Sequence, residues 1–289
     1  MVDTYGAHEA LAYFVQESVY GQTPTNPSML GINSEALNPS FDSGLVKLRG
    51  FGSRDVQALK RGLWKPQLTV NHVLPSDAPV EFIQNAANLN SLSVQVLFYK
   101  GSFASPSDVV SLLYRGMRID KLTVELSAED YIKAVAELVG QSVTVGTSKI
   151  SGATYTDRQG CIMSSNCSVL KGDGGGGNQG VIERITDWKF SIENNLKPIP
   201  VIRSTSGHQL KYLPARHRNL SGEVTFEFED KAEFDETIND SEFSLQFNLG
   251  SGNNALFTYC KWELVQTPIR VEDLAALKAR FVAKGLTLS

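Results

Sequence analysis

The chain has 289 residues, enough for one large domain or two of ordinary size. With 42% hydrophobic residues, 20% charged residues and a mean hydropathy of -0.15, it is expected to fold around a sizeable core. A net charge of -4 argues against a dedicated nucleic-acid binder, which carries a basic excess, yet permits a protein that lets nucleic acid pass without holding it.

The opening residues, MVDTYGAHEALAYFVQESVYG, lack a basic n-region and carry Asp3, His8 and Glu9 too early for a secretory signal. No window approaches the ~18 continuous apolar residues of a membrane span. Three cysteines, Cys161, Cys167 and Cys260, are an odd count for a disulfide framework, and synthesis in a reduced cytoplasm is expected.

In chain order, residues 2–37 run into the loop-rich GQTPTNPSMLGINSEALNPS and are expected to form an N-terminal arm. WKPQLTVNHVL is predicted as a strand. Residues 79–86 are predicted as a short helix, because Phe82 and Ala86 are four apart on one face and Asp77 stands where an N-cap is useful. SLSVQVLFYKG is a further strand. In RIDKLTVELSAEDYIKAVAELVG, Ala128, Glu129 and Asp130 are expected to turn a hairpin into a last strand. A helix capped by Ser127 is the alternative.

The second half repeats this order. LSGEVTFEFED answers the first strand, residues 231–238 the helix (Phe234 and Ile238 four apart, Asp230 before it), and EFSLQFNLGSG the next strand. CKWELVQTPIRVEDLAALKARFVAKG repeats the final passage, with Lys278-Ala279 at the place of Lys133-Ala134. Leu277, Ala279, Phe281 and Ala283 alternate with charged residues, which favours a strand. The expectation is a duplicated domain, residues 1–145 and 146–289. A solenoid has shorter units. At the head of the second copy, residues 146–180 contain KGDGGGGNQG, and four glycines in a row are expected to make a flexible loop.

No motif carries catalytic chemistry. The glycine run lacks the Gly-Lys-Ser/Thr and the following helix of a phosphate loop. His8, His72, His208 and His217 have no metal-ligand spacing, and there is no nucleophile elbow. The acid pairs Glu129-Asp130 and Glu272-Asp273 sit at the same turn of both copies, as structural turn residues would. No catalytic residue, cofactor or metal is expected. Trp64, Trp188 and Trp262 are spread one per region, which suits cores better than a clustered ligand-binding face.

Charge is more telling. RSTSGHQLKYLPARHR brings Arg203, Lys211, Arg216 and Arg218 together, and FEFEDKAEFDETINDSE follows with Asp230, Glu233, Asp235 and Glu236. A basic face beside an acidic one suits head-to-tail contact between copies of one protein. These residues, with Tyr20 and Gly21, are the candidate contacts between subunits or rings.

Two passages carry a family resemblance. VIERITDWKFSIENNLKPIPVIRS followed by RHRNLSGEVTFEFED resembles the tail tube proteins of long-tailed bacteriophages, in which an Asn-Asn-Leu strand end (here Asn194, Asn195, Leu196) precedes a Gly-containing strand (here Ser221, Gly222, Glu223). ALAYFVQESVYGQTP resembles the opening of such proteins. The resemblance implies a mainly β fold: two tandem β-sandwich or barrel tube domains, each flanked by a short α-helix. It implies a virion structural protein that forms stacked rings around a DNA conduit. Three duplicated chains would make a ring with pseudo-six-fold symmetry. The tape measure, tail tip and terminator proteins would be partners, and no membrane is involved. The arm and the Gly-rich loop are expected to order on assembly. The alternatives are a distal or baseplate ring on the same fold, or a two-domain β ligand-binding module.

Overall fold

The computed structural model describes residues 4–202, 207–268 and 275–289. It is mainly β. The first strands are β1 (Ala10–Gln16), β2 (Ser28–Gly31), β3 (Ser34–Asp42), β4 (Val46–Leu48), β5 (Ala58–Lys60) and β6 (Lys65–Val73). Helix α1 (Glu81–Ala87) follows, then β7 (Leu92–Gly101), β8 (Pro106–Ser127), β9 (Lys133–Val139) and β10 (Ser142–Gly146). Beyond β11 (Thr154–Thr156) come β12 (Ser168–Asp173), β13 (Gly180–Val181), β14 (Ile185–Glu193), β15 (Asn219–Glu227), α2 (Ala232–Ile238), β16 (Phe243–Asn248), β17 (Asn254–Gln266), β18 (Ala276–Ala283) and β19 (Gly285–Leu288).

One pattern of antiparallel pairing occurs twice. Among the early strands β1 pairs with β7, β3 with β6, β6 with β9, and β8 with β7, β9 and β10. Among the late strands β12 pairs with β16, β14 with β15, β15 with β18, and β17 with β16, β18 and β19. Even the irregularities recur. Strand β8 passes from one sheet to the other at a bulge where Gly116 has φ 65°, and β17 does so where Tyr259 has φ 52°. The expected last strands are strands in both halves, and the turn before β9 carries Glu129 at φ 66°. Glu272 and Asp273 lie outside the described residues.

Each set packs two sheets face to face, with strand alternation supplying the buried side. In β6, Leu68, Val70 and His72 point inward, and in β15 Leu220, Val224 and Phe226 do. The helices are too short to be stable alone and hold by packing. α1 buries Phe82, Ile83 and Ala86. Asp77 does not cap α1; it pairs with Arg158 at 2.9 Å, and Val80 holds the cap position. Asp230 does accept the Ala232 amide at 2.8 Å at the start of α2. The late core is aromatic: Phe190, Phe247, Phe257 and Phe281 are fully buried, and Trp188 and Trp262 pack with them. Each ring contributes roughly 2–3 kcal/mol through burial. Trp64 differs from the expectation of a core tryptophan. It stands at the base of the β4–β5 hairpin, against Phe41 and His208.

Two segments read as flexible are built into sheets. Within the expected arm of residues 2–37, residues 10–16 and 28–31 are sheet strands. β1 lies between β7 and β2, with Ala12, Tyr13 and Phe14 buried, so it is core. Residues 146–180 hold β11, which pairs in parallel with β2, and β12, which pairs with β16. The four glycines make a tight turn. Asp173 donates its amide to Gly177 O at 2.8 Å, and Tyr259 donates to Gly174 O at 2.7 Å. Order here comes from a neighbouring strand, which local composition does not reveal.

Candidate assembly edges and surfaces

Strands β8 and β14 join the two sets through seven antiparallel residue pairs, from Asp187↔Ser127 to Glu193↔Lys121. One sheet therefore runs β3-β6-β9-β8-β14-β15-β18-β17. Among the described residues, the outer edge of β3 and the outer edge of β17 over residues 261–266 pair with no strand. A long bare strand edge is a template for another chain.

The two bare edges are the counterparts of the two joined ones. Phe190 of β14 faces Gly222, which faces Phe281; Leu37 of β3 faces Val70, which faces Ala136. Val124 of β8 faces Ala134, and Val265 of β17 faces Ala279. Phe190 opposes Val124 in the junction. Leu37 and Val265 thus stand where Phe190 and Val124 stand, each only partly buried and packed against the core.

The solvent face of this sheet alternates with its buried face. It carries Thr69, Thr123, Ser191, Ser221 and Thr225, the ion pairs Lys121–Glu193 at 2.8 Å and Lys189–Glu223 at 3.2 Å, and Glu125, Glu137 and Lys278 beside them. Such a face has no unbroken basic stripe to grip a phosphate backbone.

The segment between β14 and β15 crosses onto the early strands. Asn194, almost fully buried, donates from its amide nitrogen to Ala86 O and Ile119 O, each at 2.9 Å. Asp120 stands at the bulge of β8. Its main-chain carbonyl accepts the Asn194 amide and its carboxylate accepts the Leu196 amide, both at 2.7 Å. Arg118 donates to Leu213 O and Gln141 to Leu210 O, both at 2.8 Å. Leu196, Leu210 and Leu213 close over Tyr20, Leu89 and Val139. The Arg118 guanidinium lies 5.1 Å above the Tyr20 ring, and burial pushes the Tyr20 hydroxyl up to about 12.

The candidate contact residues therefore divide. Tyr20 belongs to this seam inside the chain, and Gly21 turns beside it, its amide held by Glu17 at 2.7 Å. Arg218 reaches Ala87 O and Arg216 reaches Asn195 O along the same seam, while Lys211 is exposed beside Tyr212. Arg203 lies outside the described residues. On α2, Glu233 is buried and paired with Arg184 at 2.7 Å, and Glu236 is bound by Lys171 and the Trp262 indole. Both are committed inside the fold. Asp230 and Asp235 remain at the surface.

The sequence reading missed the β4–β5 hairpin, an exposed cluster of apolar side chains. Val46, Leu48 and Leu59 are each more than half exposed, and Phe51 is completely so. Lys47, Arg49, Arg54 and Lys60 surround them, and among the described residues none pairs with a carboxylate. The alternation of apolar and basic residues in LVKLRGFGSRDVQALKRG was the available signal. Among the described residues no cluster of His, Cys, Asp and Glu has the makings of a metal site.

No curated protein matches the chain. Solved structures that are similar to part of it include two from gene transfer agent particles. One is the tail of an empty gene transfer agent particle in C6 symmetry, at 12% identity and a TM-score of 0.36, covering 44% of this chain and 96% of that one. The other is the virion of a native gene transfer agent particle, at 10% identity and a TM-score of 0.37, covering 44% and 97%. The family model for the phage tail tube protein matches residues 7–281. By that match the chain belongs to the phage tail tube proteins, and it is a structural protein of the virion tail.

Proposed function

We propose that three copies of this chain close a ring in which each copy supplies two successive tube units, residues 1–145 and 146–289. The single observation that carries this reading is the match between the free edges and the joined ones. Pairing β17 of one copy with β3 of the next repeats the β8–β14 junction in register, with Val265 opposite Leu37. Repeated around the ring, it leaves no bare edge, which removes the hazard of open-ended strand addition.

Rings stack into a tube, and the Thr/Ser-rich face of the long sheet becomes the lumen through which DNA passes. Its paired charges favour passage over retention. The tape measure fills the lumen before ejection, and the tail tip and the terminator bound the stack. The test is light scattering of the purified chain with negative-stain imaging of the same peak. The reading expects a mass of three chains and ring or tube images. A strict monomer at high concentration, unchanged by added tail-tip complex, would sink it.

A further inference from the structure

We propose that the β4–β5 hairpin docks on the end of α2 in the neighbouring copy of the same ring. This rests on the ring reading above and names a contact inside it. Three observations converge on one occupant, a second copy of this chain.

The first is positional. The hairpin lies between β3 and β6, and the crossing segment described above lies between β14 and β15, the matching place in the repeated pairing pattern. That crossing segment grips the end of α1 at Ala86 and Ala87, the β8 bulge at Asp120, and Gln141. Among the described residues, no crossing segment lies on the comparable features of the late strands, where Asp240 is paired only with Lys261 and Lys284 only with Glu242. α2 ends at Ile238, with Asp240 just beyond it, and Glu263 stands at a bulge of β17 that falls two residue pairs from the place of the β8 bulge. Lys284 donates its amide to Thr258 O as Gln141 does to Arg115 O. Leu89 after α1 and Asp240 after α2 share one left-handed conformation, φ 56° and 54°.

The second is apolar matching. On the early strands the equivalent site is roofed by Leu196, Leu210 and Leu213. On the late strands Ile238 is 79% exposed and Tyr259 is 46% exposed. The hairpin offers Val46, Leu48, Phe51 and Leu59, the side chains of the kind needed to cover them.

The third is charge. The hairpin carries Lys47, Arg49, Arg54 and Lys60 with Asp55 as the acid between them, while residues 227–242 carry Glu227, Glu229 and Asp230 at the surface beside Asp235, Asp240 and Glu242, which pair with Lys231, Lys261 and Lys284. Opposite patches of this kind fix register and orientation between copies.

The test uses the full chain with Lys47→Glu, Arg49→Glu and Lys60→Glu together, and separately Phe51→Asp. These residues are exposed, so circular dichroism and the melting midpoint should match the parent. The expected result is a trimer that dissociates at least tenfold more readily, and partial recovery when Asp240→Lys and Glu263→Lys are added to the triple variant. A disulfide between Leu48→Cys of one copy and Ile238→Cys of another, in rings only, would support the contact directly. If the variants form rings normally but no longer stack, the hairpin acts between rings and this inference fails while the ring stands. If rings and tubes are both unchanged, the inference also fails. A monomeric parent protein overturns both.

Discussion

Gly222 lies directly opposite Phe281 across β15 and β18, and the phenyl ring fills the space a side chain at 222 would take. A Cβ there would sit 2.5 Å from both the Lys189 carbonyl oxygen and the Phe281 ring. The matching early pair is Val70 opposite Ala136, with the larger residue on the other strand. The two halves thus fill one core position in opposite ways.

Gly222→Ala should therefore cost about 3 kcal/mol, at the upper end for overpacking. Gly222→Val combined with Phe281→Ala copies the early arrangement. It should be more stable than Gly222→Val alone by at least about 1 kcal/mol, a coupling expected of residues in contact. Urea unfolding of the parent, Gly222→Val, Phe281→Ala and the double variant measures this. Simple additivity would show that the ring does not occupy the space above Gly222.

Asn194 holds the two sets of strands together through buried amide hydrogen bonds to Ala86 O and Ile119 O. Asn194→Ala leaves both carbonyls without that partner and should cost about 2–3 kcal/mol. Because the loss falls on the seam, calorimetry should show a broader transition, or two, where the parent shows one. An unchanged sharp transition would mean that β8 and β14 couple the sets without Asn194.

His72 predicts an acid dependence. Burial against Phe82 pushes its pKa down to about 4 from 6.5. Between those values the unfolded chain binds a proton that the folded chain refuses. This contribution is therefore intact above pH 6.5 and is lost as pH falls toward 4, by up to roughly 3 kcal/mol. His72→Gln should flatten the stability profile across that window. Equal slopes for parent and variant would show that His72 is charged in the fold.

The three thiols should separate by reactivity. Cys161 is exposed; burial pushes Cys167 up to about 11 and Cys260 up to about 12. The thiolate is the reactive form. At pH 8 an alkylating reagent should label Cys161 quickly, Cys167 slowly, and Cys260 only in denaturant. Labelling of Cys260 at the rate of Cys161 would contradict its burial in β17, opposite Phe243 of β16.

Much of the fold was legible because strand alternation and repeated passages report local burial directly. The four-residue spacing at 79–86 and 231–238 marks α1 and α2 to within two residues, and the last element of each half is the strand that alternation favoured over a helix. The Asn-Asn-Leu and Gly-containing motifs also have a physical basis. Asn194 bridges to the early strands, Asn195 turns at φ 49°, Leu196 covers Tyr20, and Gly222 makes room for Phe281. Order in the glycine run was not legible, because the Tyr259 amide that pins it is distant in sequence. The role of residues 10–16 was hidden for the same reason, since β7 pairs with them from far along the chain. Surface acids misled. Glu233 and Glu236 have the composition of a contact patch, but Arg184, Lys171 and Trp262 claim them within the fold.

The most direct test of ring closure is a disulfide across the edges that should meet. Leu37→Cys and Val265→Cys are introduced together, with Cys161 and Cys167 replaced by serine, and the assembled protein is oxidised. Three chains closed through β3 and β17 should give dimers and trimers on a non-reducing gel, with nothing larger, and reductant should return all of it to monomer. Monomer alone would show that these edges do not meet. A ladder continuing past trimer would show that the chains add without closing after three.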